Sequence, residues 1–138
     1  MASLYDRDFL AWTEQTAAHL RAGRLDDLDL NHLAEEVEDM GRSEWRSLES
    51  QLANLLAHRL KWEYQPERRT SSWRLSIVAS QIAIGKLVKR NPSMKGCLGE
   101  VIEEAYSDAR KLAAADTGLP EDTFPPACPW TQNDLLAS

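Results

Sequence analysis

The sequence lacks any signal for β-structure. It contains no run of alternating β-branched residues and no Asn-Gly or Asp-Gly pair of the kind that closes a hairpin. Apolar residues instead recur at spacings of three and four along almost the whole chain, which indicates amphipathic helices. The chain is therefore predicted to be all-α, and its 138 residues are predicted to form a single domain, residues 1–138.

Long apolar runs and paired cysteines are also missing. The apolar stretches are far shorter than a membrane-spanning helix, and Asp6, Arg7 and Asp8 come before any segment typical of a signal peptide. Cys97 and Cys128 form no CxxC pair and lie near no histidine at zinc-site spacing. We favour two reduced thiols in a cytoplasmic protein over one disulfide, and we expect no membrane association.

Motifs for catalysis and cofactor binding are absent as well. The chain contains no glycine-rich phosphate loop, no GxSxG, no HExxH and no CxxC. We therefore assign no catalytic residue, no metal ligand and no cofactor from the sequence. This pattern favours a protein that is not an enzyme.

The helical pattern predicts four main helices with short connections, which is typical of an antiparallel bundle. The first should cover Tyr5–Ala22, and the second should begin after Asp29 and end at about Tyr64, before Pro66. The apolar pattern shifts at Gly41, so the second helix should be kinked or broken there. The three prolines of "FPPACPW" exclude a helix and predict an extended, proline-rich C-terminal strap.

Each helix is expected to turn its regularly spaced apolar residues toward the core. These residues are Phe9, Trp12 or Thr13, Thr16 and Leu20 in the first helix; Leu30, Leu33, Val37, Met40, Trp45, Leu48, Leu52, Leu55 or Leu56 and Leu60 in the second; Trp73, Ile77, Ile84 and Val88 in the third; and Leu98, Val101, Ala105, Ala109 and Leu112 in the fourth. Contact between these faces should hold the bundle together.

Charge is segregated along the chain. The net charge is −6, but residues 1–50 carry −7, residues 51–95 carry +7 and residues 96–138 carry −6. We favour attraction between segments of opposite charge within the protein over an anionic partner. The same alternation also suits docking to a protein partner or to a second copy of the chain.

An acidic segment, residues 26–39, contains seven carboxylates and one histidine. His32, Glu35 and Glu38 share one side of the predicted helix, but that side lies opposite the apolar stripe. A solvated acidic face is therefore favoured over a metal site, whose ligands would point inward. Glu36 differs from its neighbours because it flanks the apolar stripe, and we expect it to be half-buried.

The stretch "AHRLKWEYQPERRTSSWR", residues 57–74, concentrates basic and aromatic residues. His58 borders the apolar face and Lys61 follows it, while Arg68 and Arg69 precede a helix start that could bind an anion through backbone N–H groups. Together with Glu36, these residues form the candidate set for a ligand or anion site between helices.

The same stretch allows a second interpretation. Basic residues interleaved with aromatic rings are typical of surfaces that bind single-stranded nucleic acid. However, the isoelectric point is near 5.1, and Trp62 and Trp73 fall on the predicted inner faces. Nucleic-acid binding by the basic middle segment is therefore expected to be weak at most.

Four long strings resemble a known family. They are "YDRDFLAWTEQTAAHLRAGRLDDLDLNHLAEEVEDMGRSE" from Tyr5, "LLAHRLKWEYQPERRTSSWR", "AYSDARKLAAADTGLP" and "FPPACPWT". Through them the chain resembles the bacterial domain of unknown function 29 family, nearly from end to end. The resemblance implies an all-helical bundle and implies no activity.

The leading hypothesis is a small cytoplasmic helical module of unknown activity, with a role in interaction or regulation. A ligand- or metal-binding, enzyme-like site that uses Glu36, His58 and nearby basic residues is the first alternative. Weak nucleic-acid binding by residues 51–95 is the second.

Overall fold

Helices dominate residues 2–136, the part of the chain that the computed structural model describes. The α-helices there are α1 (Leu4–Arg7), α2 (Phe9–Arg21), α3 (Leu30–Tyr64), α4 (Ser71–Arg90), α5 (Leu98–Thr117) and α6 (Gln132–Leu136). Short 3₁₀ segments cover Leu25–Asp27, Pro66–Arg68, Pro92–Cys97 and Glu121–Thr123. These residues contain no strand, so the prediction of an all-α bundle is confirmed.

The chain divides into two compact units, and the division falls inside α3. The first unit extends to Ser43 and the second begins at Glu44. Helix α3 continues without interruption through Gly41, so the alternative of a broken helix at that position is wrong. The assignment of residues 1–138 to a single domain stays a prediction.

The prediction of one continuous first helix is wrong, because the chain changes direction at Asp8. The backbone of Asp8 is extended, with φ −154° and ψ 90°, and its side chain accepts a hydrogen bond from the Ala11 N–H at 3.0 Å. Aspartate is one of the strongest N-cap residues. Asp8 therefore ends α1 and begins α2.

An aromatic cluster holds the first unit together. The Tyr5 ring packs edge-on against Phe9 and Trp12, at centroid distances of 5.6 and 4.9 Å, and it stacks on His32 at 3.9 Å. The Tyr5 hydroxyl donates a hydrogen bond to Glu36, which raises the pKa of Tyr5 to about 12. These contacts join the N-terminal helices to the side of α3 that carries His32 and Glu36.

Most of the predicted apolar stripe of α3 in the first unit is exposed, contrary to prediction, although Leu33 is half-buried. Leu30, Val37 and Met40, which we call the α3 face, are 65%, 58% and 66% exposed. Phe9 and Leu20 of α2 were also expected to point inward and are exposed. The α3 face stays uncovered because the aromatic cluster joins α1 and α2 to a different side of α3, the side of His32 and Glu36.

In the second unit, α4 runs antiparallel to the C-terminal half of α3. The Asn91 side chain donates a hydrogen bond to Glu44 at 2.7 Å, and the Asn54 side chain donates one to the Ser80 hydroxyl at 2.6 Å. The residue nearer the start of α3 thus contacts the end of α4, and the later residue of α3 contacts the middle of α4. This antiparallel order is the predicted arrangement of neighbouring helices in a bundle.

The core of the second unit contains most of the residues that were predicted to face inward. The buried ones are Leu48, Leu52, Leu55, Leu56, Leu60, Ile84, Leu98, Val101, Ala105 and Ala109. Leu112 is an exception at 53% exposed. It lies at the edge of a groove between α3 and α5.

The predicted C-terminal strap, residues 124–130, is non-helical and lies along α5. Phe124 is buried in the core, the Tyr106 hydroxyl donates to the Pro125 carbonyl at 2.6 Å, and Arg110 donates to the Phe124 carbonyl at 3.1 Å. Side chains of α5 thus satisfy strap carbonyls that have no helical partner.

Removal of the Tyr106 hydroxyl should loosen the strap. Tyr106→Phe leaves the Pro125 carbonyl without its donor, so we expect the free energy of unfolding to fall by about 1 kcal/mol in a urea titration. Tyr64→Phe is the matched control, because the Tyr64 ring also contacts Phe124 but its hydroxyl has no hydrogen-bond partner within residues 2–136. An equal decrease in the free energy of unfolding in both variants would contradict this role of Tyr106.

Candidate functional site

The five residues predicted to form one ligand site do not all line the same cavity. Glu36 belongs to the first unit, is half-buried as expected and accepts a hydrogen bond from Tyr5. In the second unit, His58 and Lys61 line one groove, whereas Arg68 and Arg69 are not among its lining residues.

Arg69 has a structural role at the end of α3. Its Nε donates to the Trp62 carbonyl at 2.8 Å, and its guanidinium lies 4.7 Å from the centre of the Trp62 ring. A basic side chain on the last carbonyls of a helix is electrostatically favourable. Lys61 likewise lies over Trp73 at 5.1 Å, so Trp62 and Trp73 each contact a basic side chain of the protein itself. Anion binding by Arg68 and Arg69 stays a prediction.

A groove of about 630 Å³ lies between α3 and α5. Its lining residues are Ser50, Ala53, Asn54, Ala57, His58, Lys61, Leu112, Ala115 and Asp116. A volume of this size, with an apolar wall and a few polar groups, is typical of small-molecule sites. A neighbouring cavity of about 450 Å³, which also includes Glu49 and Asp108, shares part of this lining.

An ion pair closes one end of the groove. The Lys61 side chain is 8% exposed, and its ammonium group lies 2.6 Å from Asp116 Oδ2. Asp116 is much more open, at 61% exposed. The hydrogen bond from Lys61 and the positive charge of Lys61 both lower the pKa of Asp116. Because Asp116 is mostly exposed, water screens this pair and it contributes less than a fully buried ion pair would.

The tautomer of His58 follows from its contact with its own helix. Its Nδ1 lies 2.8 Å from the backbone carbonyl of Asn54. A carbonyl oxygen can only accept, so Nδ1 carries the proton and the neutral ring leaves Nε2 as an acceptor. This arrangement was not predictable from the sequence, because the i, i+4 contact depends on the side-chain rotamer.

A second apolar face, on the outer side of α4, was not predicted. Leu75, Val78 and Ile82, which we call the α4 face, are 69%, 44% and 54% exposed. Their spacing places them on one side of the helix, and Lys86 and Lys89 continue that side toward its C-terminus. The sequence signal was present, but α4 is apolar on two sides and only the inner one was assigned.

Residues 2–136 contain neither a cluster of metal-ligating groups nor a membrane-spanning helix nor a disulfide. Across residues 2–136, no three His, Cys, Asp or Glu side chains come together as a metal-ion site would require. No helix in that range has the length and apolar character needed to cross a bilayer. Cys97 and Cys128 are both free thiols.

The Lys61–Asp116 pair should stabilise the fold in a pH-dependent way. Because folding lowers the pKa of Asp116 below its usual 3.8, the pair's contribution is present above that pH and is lost as the pH falls through the lowered value. In urea titrations at pH 7, the free energy of unfolding of the wild type should exceed that of Asp116→Asn by less than about 1 kcal/mol, since the carboxylate is mostly exposed. The difference should shrink as the pH falls below 3.8 and should disappear once the pH lies below the lowered pKa of Asp116.

Asp108→Asn is the control for this titration, because Asp108 lies on the same helix and makes no ion pair among the described residues. It should show no stability difference that closes at low pH. A difference for Asp116→Asn that stays constant with pH would contradict the assignment.

Comparison with known proteins gives the family of the chain. The family model described as Domain of unknown function DUF29 matches residues 4–138, which confirms the resemblance seen in the sequence. No curated protein and no solved structure matches the chain. Because the match spans essentially its whole length, the chain belongs to the Domain of unknown function DUF29 family.

Proposed function

We propose that the protein is a helical interaction module that binds a second copy of itself. The observation that carries this proposal is the pair of exposed apolar faces, the α3 face in the first unit and the α4 face in the second. Contiguous apolar side chains bordered by charged residues are typical of protein-binding surfaces. Isolated exposed apolar residues would not support the proposal, but these residues repeat at helical spacing.

The surroundings of the two faces have opposite charge. Helix α4 carries four basic residues and no acidic one, whereas the first unit carries ten acidic and four basic residues. Lys86 and Lys89 continue the line of the α4 face, and Glu36 and Glu38 flank Val37 of the α3 face. Complementary charge of this kind favours a contact between unlike faces and speeds their encounter.

Contacts between like faces are disfavoured for the same reason. Two α4 helices have no carboxylate to set against their combined basic charge, and two first units would bring together two net charges of −6. Like-charge juxtaposition across an interface is destabilising. The α3 face of one copy is therefore the occupant that best fits the α4 face of another.

The two faces are also of similar length. Leu30 to Met40 spans about 15 Å of helix and Leu75 to Ile82 about 10 Å, at a rise of about 1.5 Å per residue. If each copy offers its α3 face to the α4 face of its partner, two copies cover all four faces.

A cytoplasmic location is part of the proposal. Its support is chemical, since two free thiols suit a reducing compartment. A regulatory role would follow from self-association, because anything that binds either apolar face would shift the equilibrium between one and two copies.

Aspartate substitutions on each face test the pairing. Val37→Asp and Val78→Asp should each convert a dimer into a monomer in sedimentation equilibrium, because each variant homodimer loses both contacts. An equimolar mixture of the two variants should regain dimer, since one intact α3 face can still meet one intact α4 face. Leu10→Asp is the control, because it places the same charge at another exposed leucine of the first unit.

The outcomes separate the alternatives. Loss of association only in Val78→Asp would indicate contact between two α4 faces, and loss only in Val37→Asp would indicate contact between two α3 faces. A wild-type protein that stays monomeric at every concentration tested would overturn self-association. Circular dichroism of each variant should match wild type, which separates lost contact from lost folding.

A further inference from the structure

We infer that the groove between α3 and α5 binds a small organic ammonium ion, namely a primary amine on a short apolar chain. The inference is independent of self-association, because the groove lies within the second unit and includes no residue of the α4 face. It depends on which polar groups of the groove are already engaged and which are open.

Several donors of the groove are engaged within the protein. His58 Nδ1 donates to the Asn54 carbonyl, and Asn54 Nδ2 donates to the Ser80 hydroxyl at 2.6 Å. The Lys61 ammonium is held by Asp116 Oδ2 on one side and lies against the Trp73 ring on another. Asp116 thus already pairs with Lys61, the ammonium group that an anionic ligand would use.

Most of the open groups are acceptors. Within residues 2–136, His58 Nε2, Asn54 Oδ1 and Asp116 Oδ1 have no hydrogen-bond partner, and none of these atoms can donate when His58 is neutral and Asp116 is ionised. The Ser50 hydroxyl, which also lines the groove, can both donate and accept. An ammonium group has three N–H donors and no acceptor, which matches this set.

The direction of the helices adds to this preference. Glu49 and Asp108 line one cavity, and Lys61 and Asp116 line the other, so α3 and α5 run parallel along the groove. Their C-terminal ends therefore meet at the Lys61–Asp116 end. The C-terminal end of a helix carries a partial negative charge, which favours a cation, and Lys61 and Arg69 already supply positive charge at the end of α3. An anion there would also have to displace Asp116 from Lys61.

The rest of the groove suits a short hydrocarbon chain. Ala53, Ala57, Leu112 and Ala115 supply its apolar wall, and the exposed Leu112 would lose contact with water when the groove is filled. Burial of apolar surface contributes about 25 cal/mol per Å². A ligand with an ammonium head and an alkyl tail would thus contact the polar end of the groove with its head and the apolar wall with its tail.

Three probes of equal length test the inference at pH 7: butylammonium, butyrate and butanol. In an NMR titration of the full-length protein, butylammonium should shift the resonances of the groove residues and bind more tightly than the other two. Asp116→Asn should weaken butylammonium binding about tenfold, the loss of one charged hydrogen bond. Asp108→Asn removes the same charge from the neighbouring cavity and should leave the affinity unchanged.

His58→Leu provides a second variant, in case Asp116→Asn disturbs Lys61 and the fold. It should weaken butylammonium binding without affecting butanol. Tighter binding of butyrate would make the groove an anion site and overturn the inference. Equal binding of butylammonium and butanol, no perturbation of groove resonances, or equal effects of Asp116→Asn and Asp108→Asn would also overturn it.

Discussion

The structure of the second unit depends on complete burial of one side of α3. Leu48, Leu52, Leu55, Leu56 and Leu60 are all 0% exposed, packed against α4, α5 and the strap. Burial of five leucines contributes on the order of 10 kcal/mol before the cost of chain entropy. This column fixes α4 with one side inward, and the α4 face is left outside as a consequence.

The groove has its origin in the same packing. Ala53 and Ala57 follow the leucine column along α3 but have small side chains, so α5 and α3 leave space between them at this position. Lys61 lies at the end of the inner side of α3, and its charged ammonium group is buried at the edge of the core. It is held there by Asp116 and by the Trp73 ring. Core packing thus positions both features for which we propose a function.

Much of this fold was predictable because local chemistry determines it. Pro66 ends α3, the prolines of the strap prevent a helix, and leucine spacing identifies the core side of the second unit. The break at Asp8 was not predicted, because an aspartate inside an apolar pattern can be either a cap or a surface residue. The uncovered α3 face was also missed, since periodicity identifies an apolar face but does not say what covers it. His58 and Lys61 could be grouped from the sequence because they are neighbours along one helix, whereas Asp116 is 55 positions beyond Lys61 and could be placed beside it only by the fold.

Binding between the exposed apolar faces of two copies can be observed by isotope-filtered NMR, in a mixture of labelled and unlabelled protein where only contacts between copies give signals. Pairing of the α3 face with the α4 face should give intermolecular signals between the Val37 methyl groups of one copy and those of Val78 or Ile82 of another. Intermolecular signals confined to α4 against α4, or none in a sample at high concentration, would contradict it.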